Sequence, residues 1–126
     1  KDVTIVAFSI MVGKALKAAE ELAEAGIDAE VINLRTIRPL DHATIIRSVQ
    51  KTNRLVVVDE NWPFASIASE VAYRVQKDAF DYLDAPVFRV NQADTPLPFA
   101  PGLIEESLPS VARVVKAVKE VMYVVK

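Results

Sequence analysis

Two arginines, Arg35 and Arg38, lie close together in the stretch NLRTIRPLD, residues 33–41. A guanidinium group can bind a phosphate or a carboxylate through its forked N–H donors. A phosphate site of the dinucleotide or P-loop type also needs a glycine-rich loop, and the 3 glycines of this chain are far apart. We therefore predict that both arginines pair with acidic groups of a neighbouring domain or subunit.

Acidic residues and the single histidine are the other candidates for chemistry. Asp59 and Glu60 follow a predicted strand and could act as acid and base or bind a cation. At such a position carboxylates more often are solvated or cap a helix, and we favour that interpretation. His42 has no nucleophile or orienting partner that the sequence indicates, so we interpret it as a surface residue. With no cysteine and only 1 histidine, a thiolate or histidine metal site is excluded.

Aromatic and proline-rich segments point to interfaces. Trp62 lies in a loop and Phe99 in the stretch 91–108, which is longer than the usual connection of about 4–6 residues. Aromatic side chains contribute much of the binding energy at interfaces. We predict that this stretch is a strap over the domain or into a partner. Trp62 could be a lid on the core or an interface anchor, and we assign Trp62 and Phe99 to an interface. Asp84 precedes Ala85 and Pro86, and the proline fixes the backbone there.

Four apolar runs must position these residues. The runs 3–8 and 55–58 are apolar almost without alternation, which is typical of strands covered on both faces, and 29–33 and 87–90 are the second and fourth predicted strands. Amphipathic patterns between them predict helices, capped by Ser9, Asp41 and near Ser66, with a stop at Gly26. In the first helix the predicted inward positions recur at helical spacing: Val12, Ala15, Leu16, Ala19, Leu22 and Ala23. We predict a three-layer α/β/α fold with a mostly parallel sheet in the order two-one-three-four.

Composition limits the classes of partner. The chain has 126 residues, 52% of them hydrophobic and 25% charged, with a net charge of −2. This size suits one domain over residues 1–126. The charge balance offers no basic field for nucleic acid or for a membrane surface, and no run is long enough to span a bilayer. We expect neither a nucleic-acid nor a membrane partner.

Several segments together carry a family resemblance. VTIVAFS, AEVINLRTIRPLD, KTNRLVVVDE, AFDYLDAPVFRV, ADTPLPFA and VVKAVKEV occur in this order. Together they resemble the C-terminal domain of transketolase-like enzymes, most of all that of the pyruvate dehydrogenase beta subunit. The resemblance implies a mixed five-stranded sheet whose antiparallel first strand would lie upstream of Lys1. It also implies that residues 1–126 are a fragment of a longer beta subunit.

The resemblance further implies the activity of a whole enzyme, which decarboxylates pyruvate and acetylates the lipoyl group of an acetyltransferase. Thiamine diphosphate and magnesium would be bound in the full enzyme, between the alpha subunit and the N-terminal domain of the beta subunit. No catalytic, cofactor-binding or metal-binding residue is carried over to this chain, so we expect it to be inactive alone. The expected location is the mitochondrial matrix, or the bacterial cytoplasm.

The partners implied are the alpha subunit and a second beta subunit, in a heterotetramer. The domain would be structural, would dimerise with its twin, and would dock the subunit-binding domain of dihydrolipoyl acetyltransferase. Asp84 and the chain end at Lys126 match the docking positions of the family, whereas Asn91 and Gln92 depart from its pattern. The alternative for Asp84, to which the sequence gives nearly equal weight, is that it only caps a turn. Two alternatives stay open: the equivalent domain of a branched-chain dehydrogenase or another transketolase-like enzyme, and a free-standing domain that binds a small ligand.

Overall fold

The computed structural model describes residues 2–35, 41–60, 66–91 and 109–123. Strands and helices alternate along these ranges, as the apolar runs predict. The elements in chain order are β1 (Val3–Phe8), α1 (Met11–Glu24), β2 (Ala29–Leu34), α2 (His42–Thr52), β3 (Leu55–Val58), α3 (Ile67–Ala79), a 3-10 helix (Phe80–Tyr82), β4 (Phe88–Val90) and α4 (Val111–Val121).

The described strands form one 4-stranded sheet in the order β2-β1-β3-β4, and every pairing is parallel. In register, Ile5 of β1 lies between Val31 of β2 and Val56 of β3. The predicted strand order and the α/β fold class are therefore confirmed. The antiparallel first strand that the resemblance implies is not among the described strands and stays a prediction.

The core has two halves, one on each face of the sheet, because successive strand side chains point to opposite faces. Ile5 and Val56 pack with α1 and α4 on one face. Val6 and Val57 pack with α2 and α3 on the other face. All four of these side chains are fully buried, which explains why β1 and β3 lack polar alternation.

A polar network crosses the second half of the core. The hydroxyl of the fully buried Thr4 lies 2.7 Å from that of Ser48 and 2.7 Å from that of Thr52. Ser48 donates to the Glu30 carboxylate, and Thr52 donates to the carbonyl of Arg54 at 3.1 Å. A buried hydroxyl needs a hydrogen-bond partner. Here the partners lie on different elements, so these contacts connect α2 to β1 and β2.

Helix ends follow the predicted signals in most places. Asp41 caps α2, accepting from the amide of Thr44 at 3.3 Å, and Ser66 caps α3 in the same way. The Thr44 hydroxyl also donates a hydrogen bond to the Asp41 carboxylate at 2.7 Å. This hydrogen bond, together with the one from the Thr44 backbone amide, holds the pKa of the Asp41 carboxyl below its usual value. Gly26 ends the turn after α1 with φ at +84°, a conformation that favours glycine.

The start of α1 differs from the prediction. Ser9 is not the cap: it has φ at 52°, and Ile10 occupies the cap position without any side-chain bond. Met11 is buried, whereas Leu16, predicted to point inward, is 51% exposed. A left-handed turn at Ser9 precedes α1, and the sequence periodicity does not report that turn. The residues of α1 that face the sheet are Met11, Ala15, Ala18 and Leu22.

Candidate functional site

At the carboxyl edge of the sheet, Asp59 supports the fold. Its side chain is 2% exposed and accepts a hydrogen bond from the amide of Ala68, in the first turn of α3, at 3.3 Å. Its own amide donates to Val90 at 2.9 Å and extends the pairing of β3 with β4. The predicted capping role is confirmed for Asp59, although the side chain is not solvated. Glu60 is half-buried.

His42 has a partner that the sequence did not indicate. Its Nε2 lies 2.9 Å from the Asp78 carboxylate, which ties the start of α2 to the end of α3. The imidazole is 20% exposed, so His42 lies at the surface, as predicted, but is partly covered. The two residues are 36 positions apart, and a contact of that kind leaves no local sequence signal. In the described ranges, no three histidine, aspartate or glutamate side chains are grouped so as to hold a metal ion.

The predicted interface residues are only partly covered by the structure. Arg35 is exposed directly after β2, at the carboxyl edge of the sheet. Arg38, Trp62, Phe99 and Lys126 lie outside the described residues, and so does the stretch 92–108. Their roles remain predictions. None of the described helices is long and apolar enough to cross a membrane.

Asp84 lies on a loop that is held by the end of α2. Asn53 ends α2 in a left-handed conformation, with φ at 65°. Its carbonyl accepts from the amide of Asp84 at 2.8 Å, and its side-chain amide donates to the carbonyl of Tyr82 at 2.6 Å. Asparagine suits this position, since it tolerates left-handed backbone and carries a donor. One residue therefore fixes the backbone on both sides of Leu83.

The end of α4 holds the same loop from another side. Tyr123 donates from its hydroxyl to the carbonyl of Asp84 at 3.3 Å. Arg54 donates from Nε to the carbonyl of Val121, the last residue of α4, at 3.0 Å. The same guanidinium lies 3.9 Å from the Asp84 carboxylate. Asp84 thus has a fixed backbone, while its side chain is 57% exposed.

Beside this carboxylate is a groove with a cavity volume of about 540 Å³. Phe80 and Tyr123 are 64% and 66% exposed on its walls. The lining combines the loop with α3 and the end of α4: Ala72, Gln76, Phe80, Leu83, Asp84, Ala85, Pro86, Val87 and Tyr123. We call this surface the Asp84 groove.

The Asp84 groove combines exposed aromatic rings with one carboxylate. Exposed aromatic rings next to a carboxylate suit a partner that presents a cationic side chain beside apolar ones. Among the described lining residues, Asp84 is the one charged side chain. Of the residues at this loop, the sequence analysis identified Asp84 and did not identify Asn53, Arg54, Phe80 or Tyr123. An asparagine just after the second predicted helix is a signal that could have indicated the left-handed cap at Asn53.

Known proteins that are similar to this chain belong to one family of enzymes and enzyme domains. The family described as "Transketolase, C-terminal domain" matches residues 1–114. The chain is 56% identical over 123 residues to the mitochondrial pyruvate dehydrogenase E1 component subunit beta-1 of Arabidopsis thaliana, covering 98% of this chain and 34% of that protein. It is 57% identical over 122 residues to the pyruvate dehydrogenase E1 component subunit beta of Rickettsia felis, covering 97% of this chain and 37% of that protein.

A solved structure gives the same result in three dimensions. The chain superposes on a split-gene transketolase, an inactive beta4 tetramer, with a TM-score of 0.84 and 31% sequence identity. The match covers 100% of this chain and 40% of that one. The chain therefore spans about a third of the length of the curated relatives it matches.

Proposed function

Since this chain belongs to the transketolase C-terminal domain family, we propose that it is the C-terminal domain of a pyruvate dehydrogenase beta subunit. Identity above one half to two such subunits, over nearly all of this chain, supports the proposal. It favours pyruvate dehydrogenase over a branched-chain dehydrogenase or transketolase itself. The whole enzyme would decarboxylate pyruvate and acetylate a lipoyl group. Its location would be the mitochondrial matrix or the bacterial cytoplasm.

Within that enzyme, the domain would have structural and assembly roles. It would contact the alpha subunit and pair with the same domain of a second beta subunit. The cofactor of the full enzyme would be thiamine diphosphate with magnesium; among the described residues, no three histidine, aspartate or glutamate side chains are grouped so as to hold a metal ion. We propose that other parts of the enzyme bind that cofactor and that this piece alone is inactive. Calorimetry with thiamine diphosphate and magnesium would refute this if it showed saturable binding to the chain.

The Asp84 groove would dock the small, basic subunit-binding domain of dihydrolipoyl acetyltransferase. The observation that carries this proposal is the exposed Asp84 carboxylate on a loop held by Asn53 and Tyr123. Because the loop backbone is already held, little conformational entropy would be lost when a partner binds. Arg54 lies 3.9 Å away and only partly offsets the negative charge, which leaves Asp84 able to attract a cation.

The test is Asp84→Asn in the assembled dehydrogenase, with binding to the subunit-binding domain measured by surface plasmon resonance. Asparagine keeps the size and the turn geometry but removes the charge. For a partly desolvated ion pair we expect a loss of about 2 kcal/mol, roughly 30-fold in Kd. The dependence of binding on salt should also become weaker.

The matched control is Asp81→Asn. Asp81 is exposed in the neighbouring 3-10 helix but does not line the groove. Its replacement by asparagine therefore removes one negative charge close to the Asp84 groove while leaving the lining of the groove unchanged. We expect this control to change the affinity by less than about threefold, as is usual for charges outside the contact. If Asp84→Asn left both the affinity and the salt dependence unchanged, Asp84 would not belong to the docking surface.

A further inference from the structure

The end of α4 is closed by a residue type that does not suit its backbone. Tyr123 lies two positions after the last residue of α4 and has φ at 58°, in the left-handed region. A bulky side chain is rare there, because its Cβ atom comes too close to the neighbouring backbone. The position therefore carries a backbone cost that another residue type would avoid.

Two other helices of the chain reach a left-handed turn with residue types that favour it. Gly26 lies two positions after α1, with φ at +84°, and Asn53 directly follows α2, with φ at 65°. The amide of Gly26 donates to the carbonyl three residues earlier at 3.0 Å, and the amide of Tyr123 does the same at 3.1 Å. The ends of α1 and α4 share this geometry, so glycine would fit at position 123.

Contacts inside the described ranges do not account for a tyrosine at this position. Its side chain is 66% exposed and belongs to neither half of the core. Its hydroxyl donates to the carbonyl of Asp84 at 3.3 Å, whereas roughly 2.7–2.8 Å is usual for a hydroxyl donor. This exposed bond orients the ring but does not offset the left-handed backbone. Backbone strain without a packing reason is an expected mark of a functional position.

The strain is located at the Asp84 loop. Among the described residues, three other than glycine have positive φ, and two of them, Asn53 and Tyr123, hydrogen-bond to this loop. Phe80 is the other exposed ring of the groove, but its φ of −54° is ordinary for a helix. Of the two rings in the groove, the one at Tyr123 is therefore kept at a cost to the stability of the fold.

We propose that Tyr123 is a specificity-determining residue of the Asp84 groove, and that its ring is the wall against which a cationic side chain of the partner packs. Tyr123 and Asp84 line the same groove, and the hydroxyl bond keeps the ring beside the loop. A cation is attracted both by an aromatic face and by the neighbouring carboxylate, and a neutral side chain would lose both attractions. The inference rests on the proposed function, in which the partner is a basic domain.

The test is Tyr123→Gly, which should change stability and docking in opposite directions. Glycine relieves the left-handed strain, so the thermal unfolding midpoint of this chain should rise by about 3 °C. In the assembled dehydrogenase, the Kd for the subunit-binding domain, measured by surface plasmon resonance, should rise about tenfold, because an aromatic contact is lost. If the ring only supported the fold, or were covered by another part of the enzyme, the variant would be less stable with an unchanged Kd. That result would overturn the inference.

Two further variants separate the ring from its hydroxyl and from exposed aromatic side chains in general. Tyr123→Phe keeps the ring, so its Kd should change by less than about threefold, as expected for the loss of one exposed hydrogen bond. Tyr73→Ala should leave the Kd unchanged, because Tyr73 is 61% exposed on α3 but does not line the groove. If Tyr123→Phe weakened docking as much as Tyr123→Gly, the hydroxyl and not the ring would matter, which would overturn the inference.

The variant Asp84→Asn distinguishes failure of the inference from failure of the proposed function. Normal docking by Tyr123→Gly, together with weak docking by Asp84→Asn, would overturn the role of Tyr123 and leave the Asp84 groove as the docking surface. Normal docking by both variants would overturn the two proposals together.

Discussion

Arg54 connects the end of α2, which it directly follows, to the end of α4, and both of these ends hold the Asp84 loop. Replacing Arg54 should therefore lower the stability of the fold by a measurable amount. Its Nε donates to the carbonyl of Val121, at the end of α4, at 3.0 Å. The last carbonyls of a helix have no partner inside the helix, and a cation there also offsets the negative end of the helix dipole. Arg54→Met keeps most of the apolar stem and removes the donors.

The magnitude follows from two contacts. A hydrogen bond to a charged donor contributes about 1.5–3 kcal/mol, and the lower half applies here because the Arg54 side chain is 23% exposed and water can replace part of it. The ion pair with Asp84 is long, at 3.9 Å, and the carboxylate is 57% exposed. It therefore adds roughly a few tenths of a kcal/mol. We therefore expect Arg54→Met to lower the free energy of unfolding by about 2 kcal/mol.

Urea unfolding followed by circular dichroism measures this loss. With a slope of about 2 kcal/mol per molar urea, the midpoint should fall by about 1 M. Arg74→Met is the matched control, because Arg74 makes an exposed ion pair with Glu70 on α3 at 2.8 Å. The control should lose less than about 0.5 kcal/mol. If Arg54→Met and Arg74→Met lost the same stability, the bond to Val121 would not support the loop.

Two further predictions concern the fold around the site. Thr4→Val should cost about 1–2 kcal/mol in the same assay, because it removes a fully buried hydroxyl that lies 2.7 Å from those of Ser48 and Thr52 and donates its one proton to one of them; a variant as stable as the unchanged chain would contradict this. The pKa of the Asp41 carboxyl is lowered in the folded state. The ionised carboxylate therefore stabilises the fold at pH values above its pKa in the unfolded chain, close to 3.8, and this stabilisation is lost as the pH falls through the pKa of the folded state. In acid titrations the stability difference between the unchanged chain and Asp41→Asn should therefore shrink as the pH falls; a constant difference would refute the assignment.

The sequence alone determined the fold class, the strand order and most helix ends. Unbroken apolar runs at β1 and β3 required cover on both faces, and Asp41, Ser66 and Gly26 marked local boundaries. These signals are short-range, since a cap or a left-handed turn depends on neighbours within about four residues. The left-handed turn at Ser9 was not predicted, because serine is not a residue type that indicates such a turn.

Only the tertiary structure decided what surrounds Asp84. Asn53, Arg54 and Tyr123 come from the end of α2, the start of β3 and the end of α4, and they meet at one loop because the parallel sheet brings those ends together. The pairing of His42 with Asp78 depends in the same way on the packing of α2 against α3. Contacts between residues distant in the chain are set by the packing of whole elements, and no local pattern of residues encodes them.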